Sequence, residues 1–395
     1  MQNFNQTPLN YAVDYARELA NAYPYLSYFS EIWAGPNSQK YKPVNGKTVM
    51  IPSMTTSGAR VVNRDSIDGT FNRNFNNEYQ PVTMEMDREW DTLVDPMDIQ
   101  ESNQVVTIAN ITKTFNEFEK VPEMDVYVAS HLANFAQTFG TADATVLDKD
   151  NILSTWDGYL AYMVNQRINR DRLVAYMTPD IYKLLKEAAG ITRFIDAGTG
   201  IRNVDRNVGK LDGVVIKEVP SDMMKTIYDF TNGWNVDTSA KQINLLLVDP
   251  MAIIAPIVYE TSMISAPTAQ TKGKWLYYER YYYDVFALNK RRCGVLANIS
   301  EPVLGTLNVT SVAGTANETV LSVDVKPFLG QKLVYQLNSA DPSVTYGQDL
   351  SSWKDLPANG TVTVDSQTNA TVALINTTKG AFAVAAGNAT IVKGS

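Results

Sequence analysis

The sequence predicts an α+β body followed by an all-β sandwich, and three observations carry that prediction. Segments of helical and of strand periodicity interleave through residues 1–302 with no internal repeat. At about residue 302 the composition breaks: every arginine and every methionine precedes it, as do the single Cys293 and the single His131. Beyond the break come short alternating runs such as TLNVTSV, TVLSVDV, KLVYQL and ATVALI, punctuated by glycine or asparagine. That is the pattern of a small β-sandwich of about seven strands.

Composition narrows the function classes. A chain of 395 residues is too long for one simple core, so more than one domain is expected. With 45% hydrophobic and 19% charged residues it belongs with globular rather than disordered chains. A net charge of −8 argues against a general nucleic-acid binder held by phosphate neutralisation. No apolar run is long enough to span a membrane, and the opening MQNFNQTPLNYAVDYA has no secretory-signal pattern. One cysteine and one histidine rule out an internal disulfide framework and a Cys/His zinc site. His131, mid-helix among apolar neighbours, and Cys293, before a glycine in an expected strand, read as structural. Neither an enzyme nor a cofactor is expected.

In chain order, residues 1–40 carry irregularly spaced aromatics and end in the turn-like GPNS; residues 11–22 could form a short helix broken before Pro24. KTVMI (47–51) and YQPVTMEMD (79–87) read as strands around a polar centre, TTSGARVVNRDSIDGTFNRNFNNE. Together they suggest an extended hairpin too polar to bury itself. In VPEMDVYVASHLANFAQTFG, Met124, Val128, Leu132, Phe135 and Phe139 recur at helical spacing. Pro122 suits its first turn and Gly140 its stop. A second helix over residues 152–169 buries Trp156, Tyr159, Leu160 and Met163. A third has Thr178 as N-cap, Pro179 at the first position and Gly190 past its end. RLVAYM (172–177), LDGVVIKEVP (211–220) and INLLLVD (243–249) read as strands.

Four stretches could carry chemistry. In KWLYYERYYYDVFALNKRR (274–292), strand alternation makes both faces equally aromatic, with Glu279 and Asp284 beside them. A base-stacking platform needs one exposed aromatic face and a basic surround, so this reads as a strand covered on both sides, with Lys290, Arg291 and Arg292 at its solvated end. AGTGIRNVDRNVG (197–209) follows no strand and opens no helix, so it fails as a phosphate loop. EMDREWDTLVDPMD (85–98) lacks calcium-loop spacing and reads as strand and turn surface. The sequons at Asn308, Asn317, Asn359, Asn369, Asn376 and Asn388 are what an Asn/Thr-rich β domain generates by chance.

The order of these segments, with phrases such as KTVMIPSM, VTMEMDREWDTLVDPMD, VPEMD and TKGKWLYYERYYYDVFALNKRRCGV, resembles the major capsid proteins of tailed bacteriophages, which share the Hong Kong 97 capsid fold. The resemblance covers residues 1–300 and implies a division of the chain: 1–45 an N-terminal arm, 46–100 an extended loop laid over a neighbouring subunit, and 101–302 a P-domain with its spine helix and an A-domain. It implies a homo-oligomer of hexamers and pentamers in an icosahedral virion capsid, assembled in the host cytoplasm. A separate scaffolding protein is expected because no scaffolding segment precedes the arm. A portal protein, room for cement proteins, weak non-specific contact with packaged double-stranded DNA and no membrane partner complete the expectation. Arg60, Arg64, Asp65, Arg73 and Glu78 would tune the register between subunits, without covalent crosslinks. Residues 303–395 resemble the immunoglobulin-like accessory modules of phage structural proteins and would project outward. Two other readings compete: a carbohydrate-binding virion or cell-surface adhesin, and a hydrolase using the carboxylates of residues 85–98.

Overall fold

The computed structural model describes residues 27–37, 42–43, 47–56, 75–101, 108–188, 209–327, 330–339, 342–378 and 380–394. The longer strands, in chain order, are β1 (Thr48–Thr56), β2 (Phe75–Thr83), β3 (Met86–Val94), β4 (Val174–Met177), β5 (Val214–Glu218), β6 (Ile243–Val248), β7 (Ile257–Ser265) and β8 (Trp275–Tyr283). They continue with β9 (Val295–Ile299), β10 (Val309–Ala313), β11 (Glu318–Val323), β12 (Gln331–Asn338), β13 (Thr361–Thr363), β14 (Asn369–Asn376) and β15 (Phe382–Thr390). The helices are α1 (Ser30–Trp33), α2 (Pro96–Glu101), α3 (Ile108–Phe115), α4 (Val121–Phe139), α5 (Ile152–Asn165) and α6 (Pro179–Glu187). The fold is mixed α+β. It divides into two compact units, Met1–Phe118 with Ile253–Phe286, and Glu119–Ala252 with Ala287–Ser395.

The first unit is built on two antiparallel sheets. β1 and β2 form a hairpin in register from Thr48↔Thr83 to Thr56↔Phe75, with Lys42–Pro43 on the other edge of β1. β8 lies between β7 and β3. The hairpin is anchored at its base, where Val49 and Met84 are buried against Tyr282. Its described distal part exposes Phe75 and Tyr79.

The second unit holds a six-stranded mixed sheet in which β9, β6, β4 and β5 are consecutive, flanked by Ala142–Asp143 and Lys210–Leu211. β4, β6 and β9 read as near-continuous apolar runs because both their faces are covered, while β5 ends in the partly exposed Lys217 and the exposed Glu218. Leu245, Leu247, Leu296, Ala175 and Met177 pack against Trp156, Leu160 and Met163 of α5 and Ile181, Tyr182 and Leu185 of α6. The alternate residues, Leu246, Tyr176 and Ala297 among them, are equally buried, and α4 packs against β9. α4 follows a π-helical turn, Asn116–Lys120, without a break, so Pro122 marks no helix start; it ends at Gly140, whose φ of 82° is the left-handed conformation of a helix stop. It is buried well beyond one stripe: Glu123, Asp125, Val126, Tyr127 and Ser130 are enclosed with the apolar residues.

Beyond residue 302 the unit holds two further sheets, antiparallel but for one edge strand. β15, β14 and β12 are consecutive in one, with Gly305–Thr306 running parallel to β15 at one edge and Lys354–Asp355 beside β12 at the other. The other is β10-β11-β13. Leu321, Val362, Ala370 and Val372 meet between them. β14 is buried along nearly its whole length because Val334, Leu350, Ile375 and Ala383 form a second core on the other face of the larger sheet.

Several local expectations change. LDGVVIKEVP is a hairpin, because Asp212 and Gly213 take positive φ between Leu211 and Val214. α5 stops at Asn165, four residues early, where Arg167 has a φ of 63°. Thr178 occupies the N-cap of α6 but its side chain makes no capping bond. Cys293 lies in a 3₁₀ turn, Asn289–Gly294, rather than in the strand that follows. Gly190 lies outside the described residues.

Candidate assembly surface

Strand β8 presents two chemically different faces. Tyr277, Glu279, Tyr281 and Tyr283 point to one side and are buried to 4% exposure or less. Trp90, which pairs with Glu279 across the sheet, stacks on Phe115 of α3 at 4.1 Å between ring centroids and lies 5.6 Å from Tyr277. Trp33 of α1 meets Tyr283 edge-on at 5.7 Å. The buried Glu279 accepts a hydrogen bond from the Tyr277 hydroxyl at 2.9 Å. Asp284, just past the strand, accepts from the backbone amides of Glu85 (3.0 Å) and Val285 (2.7 Å). A buried carboxylate persists where such donors replace its water.

The other face corrects the expectation of a strand covered on both sides. Leu276, Tyr278 and Arg280 are half-exposed, and only Tyr282 is buried. Register places Leu93 beside Leu276 and Met263 beside Tyr278. Leu93 and Met263 are 55% and 56% exposed, so one end of the face is an open apolar patch.

The other end of that face is polar. Arg280 donates to both oxygens of Asp87, at 3.0 and 2.8 Å, and to the Tyr282 hydroxyl at 2.7 Å. Tyr282 in turn donates to Asp87. The Arg280 bond, helped by Tyr282 and by Lys47 at 4.0 Å, holds the Asp87 carboxyl below its ordinary value against a partial opposing effect of burial. Tyr282's own hydrogen bond to Asp87, joined by desolvation, raises its hydroxyl. Glu89 and Asp91 are exposed on this face, so it is acidic outside the Arg280 cluster.

Of the residues expected at subunit contacts, Arg60, Arg64, Asp65 and Arg73 lie outside the described residues. Glu78 stands opposite Ser53 in the β1–β2 register. Lys290 and Arg291 are exposed on the Asn289–Gly294 turn, while Arg292 is half-buried and desolvation lowers it to about 10. His131 sets its ring 3.8 Å from that of Tyr127, with Nδ1 3.0 Å from the Tyr127 carbonyl. The acids of residues 85–98 line strand β3 and the start of α2. Among the described residues no group of His, Cys, Asp and Glu is placed to hold a metal, and no helix is long and apolar enough to cross a membrane. The Arg280–Asp87–Tyr282 cluster was missed in the sequence. Alternation puts Arg280 with Tyr282, but Asp87 comes from a strand far away in the chain.

No protein-family model matches the chain. No curated protein matches it in sequence. Among solved structures it is similar to the capsid of the cyanophage P-SCSP1u, at 12% identity and a TM-score of 0.49, over 65% of this chain and 84% of that one. It is also similar to the mature capsid of bacteriophage PhiM1 (14%, TM-score 0.45, 64% and 82%) and to the capsid of Ralstonia phage GP4 (11%, TM-score 0.42, 65% and 83%).

Proposed function

We propose that this chain is a shell-forming structural protein: the major capsid subunit of a tailed bacteriophage, assembling as hexamers and pentamers into an icosahedral shell around double-stranded DNA. The observation that carries the reading is the described part of the β1–β2 hairpin. Its base is anchored, and among its described side chains Phe75 is 50% and Tyr79 49% exposed. Exposed aromatics on a long strand are costly to leave in water and create an aggregation hazard unless a partner surface receives them. A neighbouring subunit is that partner, and Arg60, Arg64, Asp65, Arg73 and Glu78 set the register of the contact without covalent links. The open face bearing Leu93, Met263 and Tyr278 is a second assembly surface.

The order of elements supports the same reading: hairpin, three-stranded sheet, the long helix opened by VPEMD, the mixed sheet, and the aromatic strand. In this reading residues 303–395 are an immunoglobulin-like accessory domain on the outside of the shell. A net charge of −8 suits a container that holds DNA without gripping it. A scaffolding protein and a portal protein are its assembly partners.

The test is to purify the full chain with and without a co-expressed scaffolding protein and to examine both by sedimentation velocity and negative-stain electron microscopy. Shells, tubes or rings of five and six subunits are the expected products. A sharp monomer in both preparations would sink the proposal.

A further inference from the structure

The C-terminal end of an α-helix leaves its last four carbonyls without intrahelical donors, and they carry the negative end of the helix dipole. At the end of α4 two of these are met locally: Ala136 O accepts from the amides of Gly140 (2.9 Å) and Thr141 (2.8 Å), and Gln137 O from the Gly140 amide at 3.1 Å. Side chains from beyond residue 302 reach the other two, and Gln137 O a second time. Gln331 Nε2 donates to Thr138 O at 2.5 Å, Asn376 Nδ2 to Phe139 O at 2.6 Å, and the Tyr346 hydroxyl to Gln137 O at 3.5 Å.

These donors sit in a close-packed contact. Asn376 is fully buried and Gln331 is 8% exposed. The Asn376 Oδ1 is itself held by the Thr378 amide at 2.8 Å and the Thr378 hydroxyl at 2.6 Å, which fixes the amide group with its nitrogen toward the helix. Any Cβ added at Gly140 would fall 2.6 Å from Val384 Cγ2 and 2.8 Å from Asn376 Cβ, so the helix stop and β14–β15 approach as closely as a glycine allows. Phe139 is 3% exposed and lies under Gly330. Val303 donates its amide to the Gln137 side chain at 2.8 Å, and Tyr162 of α5 is within 3.3 Å of Thr378 Oγ1.

We infer that the C-terminal β-sandwich is the C-cap of α4, and that the helix end and the sandwich open and close as one cooperative unit rather than as a body with an appended module. The physical reason is that hydrogen bonds and apolar packing are shared across the contact. Separating the two sides gives up the Gln331–Thr138 and Asn376–Phe139 bonds and returns Phe139 and Val384 to water, so neither side keeps its stability alone. The inference concerns this chain's own folding and does not depend on the capsid reading.

Hydrogen–deuterium exchange on the full chain tests it, with peptides covering the last turn of α4 through Thr141 and the strands β11, β14 and β15. Val362→Ala thins the core between the two sandwich sheets, away from the helix. It should lower protection of the sandwich strands by roughly tenfold or more and that of the helix end by the same factor. Asn376→Asp keeps the oxygen that Thr378 binds but removes the donor to Phe139 O. It should lower protection at both places together by roughly tenfold. If Val362→Ala loosens the sandwich and leaves exchange at the end of α4 unchanged, the two are independent and the inference is overturned. If Asn376→Asp proves too disruptive to fold, Gln331→Leu serves in its place with the same two outcomes.

Discussion

Phe115 tests whether one face of the aromatic strand is a protein core. Its ring stacks on Trp90 at 4.1 Å with 7° between the planes, and Trp90 leans on Tyr277. Phe115 is half-buried, so truncation to alanine returns about 80 Å² of apolar surface to water, worth about 2 kcal/mol. Loss of the stacked geometry adds about 1 kcal/mol, while the better helix propensity of alanine in α3 returns about 0.5 kcal/mol. Phe115→Ala should therefore cost about 2.5 kcal/mol. The more discriminating quantity is the coupling between Phe115 and Trp90, about 1 kcal/mol in a double-mutant cycle. The assay is urea unfolding of the unassembled full chain followed by far-UV circular dichroism, with wild type, Phe115→Ala, Trp90→Ala and the double variant. A coupling below about 0.3 kcal/mol, the level at which independent sites add, would refute the packing argument.

Other predictions follow from single features. Asp87 has a folded pKa below its ordinary 3.8, so its stabilising contribution is complete above about pH 4 and lost as pH falls through the lowered value. Asp87→Asn should flatten the acid limb of the stability–pH curve and leave its neutral-to-basic shape unchanged, and an unaltered acid limb would contradict the Arg280 pairing. Leu132→Ala, at a fully buried position of α4, should cost about 3 kcal/mol by chemical denaturation. Gly140→Ala combines a positive φ with a 2.6 Å clash and should cost about 3 kcal/mol, more than alanine costs at an ordinary helix stop. Leu93→Glu with Met263→Glu should change subunit stability by less than about 0.5 kcal/mol per site, yet reduce the yield of assembled particles in electron micrographs.

What the sequence alone determined follows from local physics. The period of three and four residues placed α4 and glycine marked its end, although helical backbone continues through Lys120 ahead of Pro122, and Trp156, Tyr159, Leu160 and Met163 turn up buried on α5 as their spacing required. The alternating runs after residue 302 fall on strands β10, β11, β12 and β14, although the described chain already lacks α-helix from residue 209 onward. These are consequences of one side chain's geometry and of neighbours a few positions away. The two faces of β8 were beyond its reach because alternation says which residues share a face, not which face is covered. Trp33, Trp90 and Phe115 settle that from segments far away in the chain. Asp87 meets Arg280 only through strand register, and Asn376, which read as a chance sequon, is a buried donor to a helix end more than two hundred residues earlier. Hydrogen-bond partners at such separations are chosen by the packing of whole elements, a tertiary property that no local spacing encodes.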